Sequence, residues 1–398
     1  MLVTGMSNKN QQIPALRFKG FTDTWEQRKL GEITSYKNGG SFENDVVNQG
    51  KYELVSLKSV DVEGDLKESG KFINTEVEKL KSGTIVMILS EQAPGLLGKT
   101  AVIPRDDYYV LNQRVAALLP QKSTESFFLS KAINRNGKYF SKRGAGTKVQ
   151  NISKPNVENF QMFVPNFDEQ SKIGTFFKQL DETLSLHQCQ LDNYKQLKKS
   201  MKQKIFDQKL RFKDADGNDY PKWKRRTLGE ISEIIMGQSP DSANYTSNEQ
   251  DTVLIQGNAD LNGGRITPRI YTTQITKTCE AGDIILTVRA PVGDLAIANT
   301  RACIGRGVCA IKGDLYIYQY LEMIRDTDGW RKIIQGSTFE SINSNDVKDL
   351  PIDVPSSEER KKIAEFFKAL DRRIEKSTQR VESMKQFRKG LMQQMFVE

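Results

Sequence analysis

The sequence predicts an α+β fold: two mixed α/β domains in a tandem pseudo-repeat, separated by two long helices that form an antiparallel coiled coil. Three observations predict it. Residues 144–206 align with 334–396 without a gap at one constant offset (363 − 173 = 190). This offset matches Ile173 with Ile363, Phe176-Phe177 with Phe366-Phe367, Leu180-Asp181 with Leu370-Asp371 and Phe206 with Phe396. Each aligned segment ends in a long amphipathic stretch, and ahead of each stretch lie short β-branched runs broken by Gly and Pro turns. A repeat this long is a whole domain plus a helix, not a solenoid unit of roughly 20–50 residues. A duplicated chain can set two similar surfaces about a pseudo-twofold axis, and only antiparallel helices permit that.

The elements follow in order. Residues 1–15 read as a disordered tail, with Met6 a possible start and no apolar segment of the secretory kind. The first domain spans 16–165. It opens with LRFKGFTDTW (16–25), then Leu30-Gly31-Glu32-Ile33 as a helix start. LKSGTIVMIL (80–89) puts a Gly turn before a buried strand, and Asn112-Gln113-Arg114 precedes another, VAALL. A helix is predicted over 124–140, then a loop, then a strand ending in Val164-Pro165. The second domain, 211–355, runs in the same order. LRFKDADGNDYPKW (210–223) echoes the opening, and Leu228-Gly229-Glu230-Ile231 repeats the helix start. CEAGDIILTV (279–288), Ile304-Gly305-Arg306 before GVCAI, a helix over 315–334 and Val354-Pro355 complete it. Arg114 and Arg306 are matched at an offset of 192 (306 − 114). Asp214, Asp216, Asn218 and Asp219 faintly suggest a calcium loop, but the Gly falls fourth and no Glu stands twelfth, so a polar turn is predicted.

The central helix (166–210) and the C-terminal helix (356–398) each begin after a proline with capping-box spacing, Asn166 with Glu169 and Ser356 with Glu359. Their seams alternate spacings of four and three, the heptad pattern. The first seam runs Ile173, Phe177, Leu180, Leu184, His187, Leu191, Tyr194, Leu197, Met201, Ile205. The second runs Ile363, Phe367, Leu370, Ile374, Ser377, Val381, Met384, Phe387, Leu391, Met395. At 1.5 Å per residue each helix would be ~60 Å long. Such a helix either packs on its own domain or pairs with the other; pairing is preferred. His187 and Ser377 fall at equivalent seam positions and read as a polar register mark.

Composition narrows the chemistry. The single histidine argues against a Ser-His-Asp triad or a histidine metal centre. Four cysteines without a CxxC pair fit free thiols in a reducing cytoplasm. No apolar run approaches the roughly 20 residues of a bilayer span. The net charge of +9 fits either solubility or a polyanion partner. Ala93–Thr100 resembles a phosphate-binding loop, yet Ala stands where Gly is needed and an extended AVIP follows where a helix should. The other repeat has Asp294 where Lys99 stands. There is no Asn- or Asp-Pro-Pro-aromatic tetrapeptide, no glycine-rich dinucleotide fingerprint, and no acid-x-Lys pair shortly after Pro240-Asp241. The chain reads as a binding scaffold.

FVPNFDEQSKIGTFFKQLDETL and DVPSSEERKKIAEFFKALDRRI, with LGEI after a Trp and the AGDIIL turn, resemble the specificity subunit of type I restriction–modification enzymes. The resemblance covers essentially the whole chain. It implies that each variable domain is a target recognition domain reading one half of an asymmetric, bipartite double-stranded DNA site. It also implies that the helices set the gap between halves and dock two methyltransferase subunits, through which two ATP-dependent restriction subunits join. The chain itself would be non-catalytic and cytoplasmic. S-adenosylmethionine, ATP and magnesium would belong to the partners, and the complex would methylate adenine or translocate and cut DNA. The alternative is a duplicated, non-catalytic protein-binding scaffold. Residue types suited to phosphates and base edges nominate Lys99, Gln113, Arg114, Lys142, Arg143, Thr147 and Lys148 in the first domain. In the second they nominate Gln256, Asn258, Arg265, Arg289, Arg306, Ser337 and Thr338.

Overall fold

A computed structural model describes residues 2–4, 12–91, 95–334 and 340–397. It resolves two compact units: Met1–Gln188 with Arg380–Glu398, and Cys189–Gln379. Leu2–Thr4 is a strand paired antiparallel with Leu16–Phe18; the rest of the first eleven residues lies outside the described set.

In the first unit, alternation builds the sheet. Four strands lie in the order Thr34–Asn38, Val115–Pro120, Ile85–Ile88, Thr100–Val102, all antiparallel. Ile85 and Met87 point into a core with Trp25, Phe128 and Phe140. Val86 and Ile88 point to the other face, with Val55, Leu111 and Val115. Both faces are therefore covered, as a period of two with apolar residues at every position requires. A second sheet joins Tyr109–Leu111 in parallel to Tyr52–Val55. The helix Ser126–Arg135 closes the first face, capped by the Glu125 carboxylate on the amides of Phe127 (3.1 Å) and Phe128 (2.6 Å).

The second unit repeats this plan with longer sheets. Glu233–Met236, Val308–Lys312, Ile284–Thr287 and Leu295–Ile297 stand in order, and Ala302–Ile304 runs parallel to Thr252–Ile255. The helix Leu315–Asp326 covers it. Strand registers give the equivalence between units. Leu118 faces Ile85 and Ile311 faces Ile284, so these strands are offset by 193 (311 − 118) and 199 (284 − 85).

The long helices are Phe167–Phe206 and Ser357–Gln394. The Asn166 side chain accepts the Glu169 amide (3.0 Å) and the Ser356 hydroxyl accepts the Glu359 amide (3.3 Å). The reciprocal half of the predicted capping box is replaced. Glu169 instead accepts two hydrogen bonds from Arg17 (2.6 and 2.7 Å), and Glu359 accepts from Arg211 and from the Trp223 indole (2.8 Å). Both carboxylates are fully buried, and a buried carboxylate needs a forked cation more than a cap amide needs an extra acceptor. The echo LRFK thus has a cause: each copy supplies the arginine for its own helix start.

Each unit contains the head of one long helix and the tail of the other. In the first unit Ile173 and Phe177 share a core with Leu391, Met395 and Phe396, whose ring stacks on Phe128 at 5.4 Å. In the second, Ile363 and Phe367 share a core with Ile205 and Phe206, and Phe206 meets Tyr316 at 5.3 Å. The repeated Leu-Asp motif adds charge to both. Asp181 lies 2.6 Å from Lys131 Nζ and 2.6 Å from Arg388 Nε, the latter a charge contact whose angle makes no hydrogen bond. Asp371 holds Lys198 (2.7 Å) and accepts from Gln319 (3.1 Å). Arg388 and Lys198 are one repeat apart (388 − 198 = 190), so the same head-to-tail, antiparallel contact is made inside each unit.

The sequence offered packing on the home domain or pairing between helices; each unit combines the two. Along the seam, Ile173, Phe177, Leu191, Ile363, Phe367, Leu370 and Val381 are buried, while Leu180, Leu184, Ile374 and His187 are half-buried. Two seam positions are corrected. Leu197 is 42% and Phe387 58% exposed, because two successive spacings of three (Leu191–Tyr194–Leu197 and Val381–Met384–Phe387) swing these positions to one side of the seam. The spacings of four that follow return Ile205 and Met395 to the core.

Candidate nucleic-acid interface

In both units the turns at one end of the buried strands converge, and the same backbone bonds set them. Gly39 N donates to Val115 O and Gly40 N to Leu111 O; Gly237 N donates to Val308 O and Gln238 N to Ile304 O. A Cβ on Gly39 would stand 1.9 Å from Asn112 O, and one on Gly237 would stand 2.1 Å from Gly305 O. Only glycine permits that approach. Asn112 is therefore equivalent to Gly305, and Gln113, not Arg114, is equivalent to Arg306 (306 − 113 = 193). The sequence match of Arg114 with Arg306 is off by one residue, because identity of side chain outweighed strand register there.

The second unit gathers three nominated residues. Gln256, Arg289 and Arg306 line an open cleft of ≈ 490 Å³ together with Ser239, Tyr245 and Gly307. Both arginines are exposed, and among the described residues neither forms an ion pair. Ser239 Oγ accepts the Arg306 amide (3.1 Å), and Arg289 pairs across a bridge with Ser341. The turn after Arg289 passes through a cis Ala290–Pro291 bond. The Gln256 turn is held from below by Asp260. This buried carboxylate accepts the amides of Gln256 (2.7 Å) and Gly257 (3.2 Å) and the Nε of Arg269 (2.9 Å). Asn258 is exposed beside this turn, and Arg265 is exposed on the strand Arg265–Ile266, outside the cleft lining. Ser337 and Thr338 lie outside the described residues.

In the first unit the equivalent turn joins strands of two different sheets. Gln113 and Arg114 are exposed at the turn, with Arg114 in the left-handed region (φ 67°). Arg114 O accepts from Leu89 N, and Leu89 O accepts from Ile152 N, tying this turn to the strand Gln150–Asn151. Thr147 and Lys148 sit exposed in the loop that the Ala145–Asn151 bridge closes. Lys142 and Arg143 precede it, and the Arg143 guanidinium lies 3.7 Å above the Tyr139 ring. Glu43 stands in this site as well. Hydrogen bonds from Lys71 and Asn112 hold its carboxyl below the usual range, and the Arg114 charge adds to that. Lys99 is placed apart, half-buried among the charges of Glu63, Asp61, Lys131 and Arg388; burial pushes its ammonium below the ordinary lysine value.

The phosphate-loop lookalike has its own explanation. The amides of Gly95, Leu96 and Leu97 all converge on one oxygen of the buried Glu91 carboxylate, at 3.0, 2.7 and 2.8 Å. The nest is filled by the chain's own anion, and a phosphate there would meet a like charge. Sequence reasoning missed Glu91 and Asp260. Their signal was an acid set within a few residues of a Gly-containing turn that closes a strand. Among the described residues no group of three or more His, Cys, Asp or Glu could hold a metal ion, and no helix is long and apolar enough to cross a membrane.

The type I restriction–modification DNA specificity domain family matches this chain twice, over residues 22–195 and 220–385. A putative type I restriction enzyme specificity subunit of Methanocaldococcus jannaschii, MjaX, is 25% identical, covering 93% of this chain and 92% of its own length. The MjaVIII specificity subunit of the same organism is 20% identical over 93% of this chain and 91% of its own. The fold is that of the type I restriction–modification S subunit from M. genitalium, at a TM-score of 0.66 and 16% identity over 97% of this chain and 99% of that one. A chain from a structural study of complex assembly in a type I restriction–modification system gives a TM-score of 0.56 at 21% identity, covering 92% and 96%. With two family domains in tandem, each carrying a variable turn cluster on a repeated frame, the chain belongs to the type I restriction–modification DNA specificity family.

Proposed function

We propose that the chain is the non-catalytic subunit that reads an asymmetric, bipartite DNA site, one half by each unit. The observation that carries this reading is the turn cluster repeated on one hydrogen-bonded frame with different side chains. Two unequal readers built on one backbone suit two unequal half-sites. In the second unit, two arginines that form no ion pair among the described residues and a glutamine line one cleft, the chemistry of guanine and adenine edges. In the first unit Gln113, Arg114, Lys142, Arg143, Thr147 and Lys148 are exposed on neighbouring turns, suited to phosphates and base edges. Lys99, Asn258 and Arg265 then act as peripheral phosphate contacts. Ser337 and Thr338 keep their assignment from residue type alone.

The long helices set the gap between half-sites and dock two methyltransferase subunits, with two ATP-dependent restriction subunits joining through these. Support comes from Leu197 and Phe387, exposed apolar residues one repeat apart (387 − 197 = 190). Equivalent apolar patches on two helices suit two copies of one partner. S-adenosylmethionine would be bound by the methyltransferase subunits, and ATP and magnesium by the restriction subunits, with the assembly cytoplasmic. Mapping methylated adenines in the host genome with and without this gene tests the reading. A split motif that vanishes with the gene supports it; an unchanged methylation pattern contradicts it.

A further inference from the structure

We infer that three repeat-equivalent positions decide base preference, and that they commit the second unit to a guanine-containing half-site while the first reads with one glutamine and a displaced arginine. The inference rests on the DNA-reading function proposed above and goes further, to residues and bases. Strand register identifies the positions. Gly305 N donates to Ile255 O as Asn112 N donates to Val55 O, so Gln256 matches Ser56 (256 − 56 = 200). Ile342 N donates to Val288 O as Ile152 N donates to Leu89 O, so Arg289 matches Ser90 (289 − 90 = 199). Arg306 matches Gln113, as shown above.

At these positions the second unit presents Gln256, Arg289 and Arg306 into one cleft. The first unit presents Ser56, Ser90 and Gln113. Ser56 is buried and its hydroxyl accepts the Lys58 amide (3.4 Å); Ser90 is buried against Asn151. Neither serine can reach a base, so Gln113 alone remains of the three. The arginine of the first unit stands one residue later, at Arg114, about 3.8 Å along the chain. Its equivalent in the second unit is Gly307, where a Cβ would lie 2.0 Å from Gln256 O. The Gln256 turn therefore forbids a side chain at that position, and the arginine there has to stand at 306. Arginine forks onto guanine O6 and N7, and glutamine onto adenine N6 and N7. Among the described residues Arg306 forms no ion pair, whereas the Arg114 charge acts on Glu43.

The test is selection of bound duplexes from a random pool by the full chain, as wild type, Arg306→Gln and Gln113→Arg. The wild type should enrich a split motif whose second half contains guanine. Arg306→Gln should exchange guanine for adenine at one position of that half, a preference change of about tenfold, and leave the first half unaltered. Gln113→Arg should alter only the first half. If the wild type enriches no motif, the DNA-reading function itself fails. If the wild type enriches a split motif and Arg306→Gln leaves the second half unchanged, the function stands and this assignment is overturned. Circular dichroism of the variants separates a lost motif from a lost fold.

Discussion

The turn at 112–114 and the turn at 305–307 hang from the same four backbone hydrogen bonds, yet one carries Asn-Gln-Arg and the other Gly-Arg-Gly. The difference is local and steric. In the second unit the Gln256 carbonyl fills the space beside Gly307, so the cation stands one residue earlier and a cleft opens beside it. In the first unit Arg114 occupies that position with a positive φ, and its charge helps hold Glu43 ionised. A common frame fixes where a side chain stands; what abuts the frame decides which residue can stand there.

The same comparison applies to the helix contacts, where the largest effect is expected. Asp181 is 18% exposed and faces two cations, whereas Asp371 is 42% exposed and Lys198 keeps Glu322 as a second partner. Asp181→Ala removes the nearest carboxylate from both Arg388 and Lys131, leaving Glu63 (3.4 Å) and Asp65 (3.7 Å) to the first and Asp65 (3.9 Å) to the second. It should cost about 3 kcal/mol, the low end of the range for breaking a buried pair. Asp371→Ala should cost about 1 kcal/mol, because its pair is closer to the surface range. Thermal unfolding of the two variants checks the order; equal losses would break the comparison.

Reading residues come next. Arg306→Ala should weaken binding to the cognate duplex by ~1–3 kcal/mol and relax one base of the second half-site. Arg114→Ala, with Glu43 as a competing local partner, should lose less. Lys148→Ala should weaken all duplexes alike and lower the salt-dependence slope by about one. Titrations at several salt concentrations separate the three.

The smallest effect concerns pH. Burial works against charge at Glu322 and Lys198, but each holds the other ionised: Glu322 below the usual carboxyl range, Lys198 above the usual lysine range. Glu322 therefore stabilises the second unit above its unfolded pKa, about 4.3, and that stability is lost as pH falls through its lower folded value. Lys198 contributes below its unfolded pKa, about 10.4, and its share is lost as pH rises through the raised folded value. Protection of the Leu315–Asp326 amides against hydrogen exchange, relative to their intrinsic rates, should fall at both extremes, and Glu322→Gln should flatten the acid limb.

Much of this was legible in the sequence. The repeat, the strand–turn–strand order, both helices and their capped starts follow from periodicity and punctuation, which are local. The echo of LRFK was visible, but its partner Glu169 lies 152 residues away and could be found only in three dimensions. The offset of 192 between Arg114 and Arg306 was misread because a one-residue register shift hides behind two identical side chains. Leu197 and Phe387 fit the apolar period yet face outward, since period alone does not say where a seam leaves its partner. Glu91 and Asp260 were passed over because a carboxylate serving backbone amides has no motif of its own.

The central claim is that each turn reads its own, different half of one DNA site. Photo-crosslinking of the full chain from position 113 and, separately, from position 306 to the selected duplex tests it most directly. Position 113 should label one half-site alone and position 306 the other alone; labelling of the same half by both, or of neither, would contradict the account.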